Sequence, residues 1–173
     1  MAGIFGAQIF TSPTKETNYD GGRVLGSNSA VFTANDPVTI DASGTLIVTT
    51  ATAPIYGVVQ KTQTMSSTNA TVALVRPVCI PVDQQYEFLM GTNADLTATG
   101  AGNSVGVFYK LTGTTGAVLV DVTSGAMTGV ARVVVCTKVD PQYLGGTGSG
   151  SGLRQGLFKF VRVTNPWDGV LGV

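Results

Sequence analysis

From residue 36 onward, apolar and polar positions come in short runs divided by turn residues. Val38-Thr39-Ile40 follows Asp36-Pro37, Asp41-Ala42-Ser43-Gly44 has turn composition, and Thr45-Leu46-Ile47-Val48 returns. Two such runs around a Gly-containing turn predict a hairpin. Residues 55–59 form the next run, after Pro54. Residues 71–76 and 78–82 flank Pro77, which has no N–H to donate and so marks an edge or a bulge. Residues 85–90 predict a short strand stopped by Gly91-Thr92-Asn93, and residues 92–104, small and polar, predict a loop. Residues 105–111, a turn over 113–116 and residues 117–122 make the clearest hairpin in the chain. Residues 130–139 are the longest β-branched run, and residues 157–163 alternate in part and predict a last strand.

No window of about 11 residues joins helix formers to a 3.6-residue period without Gly, Pro or many Thr. Short strands spaced by roughly 8–12 residues predict an all-β fold, a sandwich or barrel. Residues 1–35 differ from the rest: Ile4, Phe5, Ile9 and Phe10 precede the polar stretch 12–18 and Asp20-Gly21-Gly22. This predicts an extended N-terminal arm with an apolar tip, which needs its own domain or a neighbour to pack on. The expected organisation is therefore an arm over 1–35, a β domain over 36–143, a Gly/Ser-rich loop over 144–152, and a final strand and tail over 153–173. The tail carries the only tryptophan, Trp167, after Pro166, as a candidate anchor on a neighbour or on its own domain.

Composition sharpens this picture. The 173 residues hold ten basic and ten acidic side chains, 12% charged in all, where a soluble domain has about 25%. Twenty-three Gly, 24 Thr and 24 Val fill the space instead. So few cations give no electrostatic footprint for nucleic acid. No stretch of about 18 apolar residues predicts a membrane span. The absence of histidine excludes Ser-His-Asp and Cys-His nucleophile systems and histidine zinc sites. Cys79 and Cys136 allow one disulfide or two buried thiols; the chain is long enough to build a core unaided and its start lacks a basic secretory n-region, which favours free thiols and a reducing compartment.

Searches for chemistry return little. No Gly-Lys-Ser/Thr exists, and the Gly-rich run 145–152 lacks dinucleotide spacing. Ser12-Pro13-Thr14-Lys15 matches Ser-x-x-Lys but has no helix to aim the lysine. Among the carboxylates Asp41, Asp83, Glu87, Asp95, Asp121 and Asp140, the pair Asp83/Glu87 would share a strand face, yet turn and strand-end roles outweigh catalysis. Asp36, Asp41 and Asp95 lack the dense Asp pattern of a calcium loop and read as turn initiators. The aromatics Tyr56, Tyr86, Phe88, Phe108, Tyr109, Phe158 and Phe160 are expected in the core rather than on a sugar-binding face. No enzyme and no cofactor is expected. Zero net charge and few charges favour association, so much of the surface is expected to be covered by like copies or a larger assembly.

The cadence of Pro37-Val38-Thr39-Ile40-Asp41-Ala42-Ser43-Gly44 and then Pro54-Ile55-Tyr56-Gly57-Val58-Val59 resembles that of tailed-bacteriophage capsid decoration, or cement, proteins. Val105-Gly106-Val107-Phe108-Tyr109-Lys110-Leu111 with its turn at 113–116 is similar in style, and the likeness runs over residues 30–140. The resemblance implies a small β-barrel or β-tulip domain that forms a homotrimer on the outer capsid surface of a virion assembled in the host cytoplasm. It implies a major capsid protein as partner, with subunits bridged against genome pressure. It brings no catalytic residues. Ile4, Phe5, Ile9, Phe10 and Trp167 are the expected interface anchors. The alternatives are a phage tail or head-fibre component and a carbohydrate-binding β-sandwich module, with an enzyme resting on Asp83/Glu87 the remotest.

Overall fold

The computed structural model describes residues 6–11, 23–25, 29–49, 51–65, 72–77, 86–96, 104–139 and 154–163. In chain order the strands are β1 (Ala7–Thr11), β2 (Arg23–Leu25), β3 (Val31–Phe32), β4 (Pro37–Ile40), β5 (Leu46–Val48), β6 (Gly57–Val59), β7 (Gln63–Thr64), β8 (Val72–Pro77), β9 (Glu87–Thr92), β10 (Phe108–Thr112), β11 (Leu119–Asp121), β12 (Val134–Lys138) and β13 (Arg154–Phe160). One 3-10 turn, Gly129–Ala131, accompanies them. The all-β expectation holds.

The larger sheet runs β1-β9-β11-β10-β12-β13, and β13 pairs again with β9, so the ladder returns to its start. The β9–β11 link is one parallel pair, Thr92↔Val120; the other neighbours are antiparallel. Alternate side chains turn inward, as the pleat requires. Phe88, Met90, Tyr109, Leu111, Val120, Val134, Cys136, Phe158 and Phe160 form the main core. Phe88 and Phe160 meet with ring centroids 4.9 Å apart, and Tyr109 meets Phe158 edge-on at 6.4 Å. Such tilted contacts suit the aromatic quadrupole.

The second sheet runs β2-β8-β6-β4-β5, and β3 pairs with β7. Its cluster is Phe32, Val38, Leu46, Tyr56, Val59 and Met65. The run 55–59 serves both cores: Ile55 and Val58 belong to the main cluster, Tyr56 and Val59 to the second. Val48 packs against both. This double burial is why 55–59 reads as apolar without alternation.

The β4–β5 and β10–β11 hairpins form where local pattern predicts them. In the first, the Asp41 carboxylate accepts the amides of Ser43 and Thr45, each at 2.9 Å, and the Thr45 hydroxyl at 2.8 Å. Its turn composition thus acts through an Asx turn.

Elsewhere the structure differs from the sequence reading. Within the segment expected as an arm, β1 is a strand of the larger sheet, β2 pairs with β8, and β3 pairs with β7. The strand expected to stop at residue 90 continues through Gly91 and Thr92, which pair with Gln155 and Arg154. Residues 130–133 precede β12 rather than belong to it, and 129–131 turn as 3-10 helix. Pro77 ends β8 opposite Gly57, a position that tolerates a missing N–H. Residues 78–82 and 144–152 lie outside the described residues.

β1 enters the sheet through a crowded corner. The Gly6 amide donates to Val118 O at 2.9 Å and the Ala7 amide to Asn35 O at 2.7 Å. Gly6 has φ +73°, and a Cβ there would stand 2.3 Å from Asn35 O. Gly6→Ala should therefore destabilise the protein by about 3 kcal/mol, from backbone strain plus the clash. Urea unfolding would read this as a lowered midpoint at unchanged slope.

Candidate functional site

Asp36 organises the polar site with the longest reach along the chain among the described carboxylates. It is 1% exposed. Its carboxylate accepts the Thr33 amide at 3.0 Å and, from a hairpin 80 positions away, the Gly116 amide at 3.0 Å to both oxygens. The Thr33–Asp36 turn also places Asn35, whose amide donates to Val59 O at 2.8 Å. Burial pushes the Asp36 carboxyl above its usual range, and the Thr33 and Gly116 amides pull it partly back. The site joins β1, β4, β6 and the β10–β11 turn through backbone donors. It presents no nucleophile and no second carboxylate, so its chemistry is structural.

Asp121 forms a second node. The Asn93 side-chain amide donates to it at 2.8 Å, the Ser124 hydroxyl at 2.6 Å and the Ser124 amide at 3.1 Å. Lys110 Nζ lies 3.4 Å away. Burial acts to raise its carboxyl, but the Ser124, Asn93 and Lys110 contacts together hold it below the usual range. Asn93 Oδ1 accepts the amides of Val122 and Thr123 in return. The node fixes the end of β9 to the turn after β11.

The other sequence candidates are scattered. Glu87 is half-buried on β9 and Asp95 is exposed, while Asp83 and Asp140 lie outside the described residues, as do Ile4, Phe5 and Trp167. Ile9 and Phe10 lie in β1, where Ile9 registers with Phe88. Among the described residues no group of three His, Cys, Asp or Glu is placed to hold a metal. No described helix is long and apolar enough to cross a membrane. Cys136 is a buried free thiol, pushed up to about 11 by burial, with partial relief from a backbone bond to Lys138. It is thus not a thiolate nucleophile at neutral pH. Cys79 lies outside the described residues. Tyr56, Tyr86, Phe88, Tyr109, Phe158 and Phe160 are buried, in keeping with a core role, whereas Phe108, also expected in the core, is only half-buried because its chain neighbours Tyr109 and Val107 take the inward side.

Three polar residues escaped sequence reasoning. Asp36 read as a turn initiator, and nothing local points to Gly116. Arg162, in the partly alternating run 157–163, drew no role from the sequence, yet its Nη1 donates to the carbonyls of Thr52 and Val130. Arg132, within the run 130–139, drew none either, yet its guanidinium lies 5.0 Å from the Phe108 ring centroid. Comparison with protein families, with curated proteins and with solved structures gives no match.

Asp36→Ala would leave two part-buried amides without their acceptor and should cost about 2 kcal/mol; Asp36→Asn, which keeps one acceptor oxygen, should cost less. Thermal or urea unfolding of both variants checks the order. Asp121 sets a pH dependence of definite sign. A carboxyl held below its unfolded value of 3.8 contributes stability above that pH and loses it as pH falls through the folded value. Asp121→Asn should therefore be less stable than wild type at pH 6, with the difference shrinking below pH about 3.8. Urea midpoints across pH 2 to 6, values chosen to bracket that range, would show the convergence.

Proposed function

We propose that the protein is a structural component of a virion, a capsid decoration protein that attaches to the outer face of the head and bridges major capsid protein subunits. The observation that carries this reading is where the charge goes. Only 12% of the chain is charged and its net charge is zero. Of the described carboxylates, Asp36, Asp41 and Asp121 are turned onto the chain's own amides and hydroxyls. The described part of the surface is therefore sparsely charged, with most of its carboxylates already engaged by the chain's own donors. Such a surface is a poor one for a free monomer and a suitable one for burial against neighbours.

The remaining features are consistent with that role. Val31, Ile47, Val105 and Val130 are exposed apolar side chains, Val130 at 74%. The ladder that returns to β9 supports the small-barrel form that the family resemblance implies. Attachment of this kind acts through multivalency: a homotrimer makes several weak contacts at once, and their avidity exceeds any single affinity. Ile4, Phe5, Ile9, Phe10 and Trp167 remain the proposed anchors. The protein has no catalytic part in this reading.

Light scattering should give three times the monomer mass of 17.7 kDa. Co-sedimentation with expanded heads built from the same virus's major capsid protein should saturate. A monomer that stays in the supernatant at every head concentration would reject the proposal.

A further inference from the structure

Net charge is zero, but charge is unevenly placed along the chain. Six of the ten basic residues (Lys110, Arg132, Lys138, Arg154, Lys159 and Arg162) lie between residues 105 and 163, against two of the ten acidic ones, Asp121 and Asp140. Part of this excess gathers on one face. Phe108 of β10 pairs with Val135 of β12, and Val135 pairs with Lys159 of β13. Directly paired residues share a face of a sheet. Their chain neighbours Tyr109, Val134, Cys136, Phe158 and Phe160 fill the core, so Phe108, Val135 and Lys159 form a half-buried row on the outside.

Arg132 completes the row. Its guanidinium lies 5.0 Å from the Phe108 ring centroid, and its Nε donates to Gly129 O at 3.3 Å. Val130 projects from the same 3-10 turn. Among the described residues no carboxylate bonds to Arg132 or Lys159, although the β9–β13 register carries on to set Glu87 across from Lys159; Lys110, two positions along β10 from Phe108, is paired with Asp121.

We propose that this outer face of β10, β12 and β13 docks a carboxylate-bearing protein surface, with Arg132 held on Phe108 as its anchor. The inference rests on the attachment reading above and names the chemistry of the capsid surface it meets. A guanidinium fork matches a carboxylate at two points, and a fork already fixed by ring and carbonyl has less freedom to lose on binding. Arginine and aromatic side chains beside aliphatic ones are also what the centres of protein interfaces are rich in. A second copy of the chain is a weaker candidate on its described residues, of which Asp36, Asp41 and Asp121 are already engaged on their own backbone. Nucleic acid is a poor one too: tight phosphate binding draws on about six to ten contacts, and this row offers only Arg132 and Lys159 unpaired.

The test uses the full chain, expanded heads, poly-L-glutamate and duplex DNA. Arg132→Gln should weaken head binding about tenfold and Lys159→Gln less, while Lys61→Gln, at an exposed lysine in the 60–62 turn, should bind as wild type. An unchanged melting midpoint for Arg132→Gln separates lost contact from lost fold. Poly-L-glutamate should bind wild type and compete for the heads, and Arg132→Gln should bind it more weakly. The inference is overturned if Arg132→Gln binds heads as wild type does, or if DNA competes better than poly-L-glutamate. Should wild type ignore the heads, the attachment reading falls. The docking face then stands if poly-L-glutamate binding depends on Arg132, and falls if it does not.

Discussion

The fold depends on one buried charge. A carboxylate removed from water is costly unless its lone pairs are met by donors. Asp36 meets that condition with backbone amides alone, from Thr33 beside it and from Gly116 on the far hairpin. Around the same turn the Ala7 amide reaches Asn35 O and the Asn35 amide reaches Val59 O. Segments from the N-terminal strand, the second sheet and the larger sheet thus meet at one turn, which the Asp36 side chain ties to the far hairpin. The two hydrophobic clusters abut through the run 55–59 and Val48. Hydrophobic contact brings them together without fixing a relative orientation; the directional bonds to Asp36 supply that orientation, together with those of Ile55 N–H to Arg162 O and Leu111 N–H to Ala51 O.

What was legible in the sequence was local. The hairpins at β4–β5 and β10–β11 announce themselves because turn residues and flanking apolar runs lie within a few positions of one another. The partners of β9 do not: β1, β11 and β13 come from far up and down the chain. Gly91-Thr92 has turn composition, yet long-range pairing with β13 keeps it extended. Val130 belongs to a β-branched run, but 129–131 turn as 3-10 helix, with the Val130 carbonyl accepting from Arg162. The same distinction governs the polar sites. Asp41 could be read as a turn former because its partners are two and four residues away. Asp36 could be read as a turn former for its bond to Thr33, but not as a link to Gly116 80 residues away, nor Arg162 as a link to Thr52 110 residues away.

Charge poverty, first a list of excluded chemistries, gains a physical meaning from these nodes. Three of the five described carboxylates, Asp36, Asp41 and Asp121, act on the chain's own donors through charge-assisted bonds, the stronger kind. Arg132 and Lys159 have no carboxylate bonded to them among the described residues, so a chain of zero net charge still shows a basic, aromatic row at β10, β12 and β13. A directional interior and a sparsely charged exterior with one basic, aromatic face describe a body that is rigid in itself and completed by a neighbour. The proposed capsid attachment follows from that division of labour.

The central claim is that Asp36 makes the two clusters a single cooperative unit, and native-state amide hydrogen exchange tests it most directly. In wild type the slow amides of both cores, such as Val59 and Cys136, should open with the same free energy and the same denaturant dependence. In Asp36→Ala the second-sheet amides should exchange through a lower-energy opening while the main-core amides keep a higher one. Coincident opening of both cores in the variant would contradict the account.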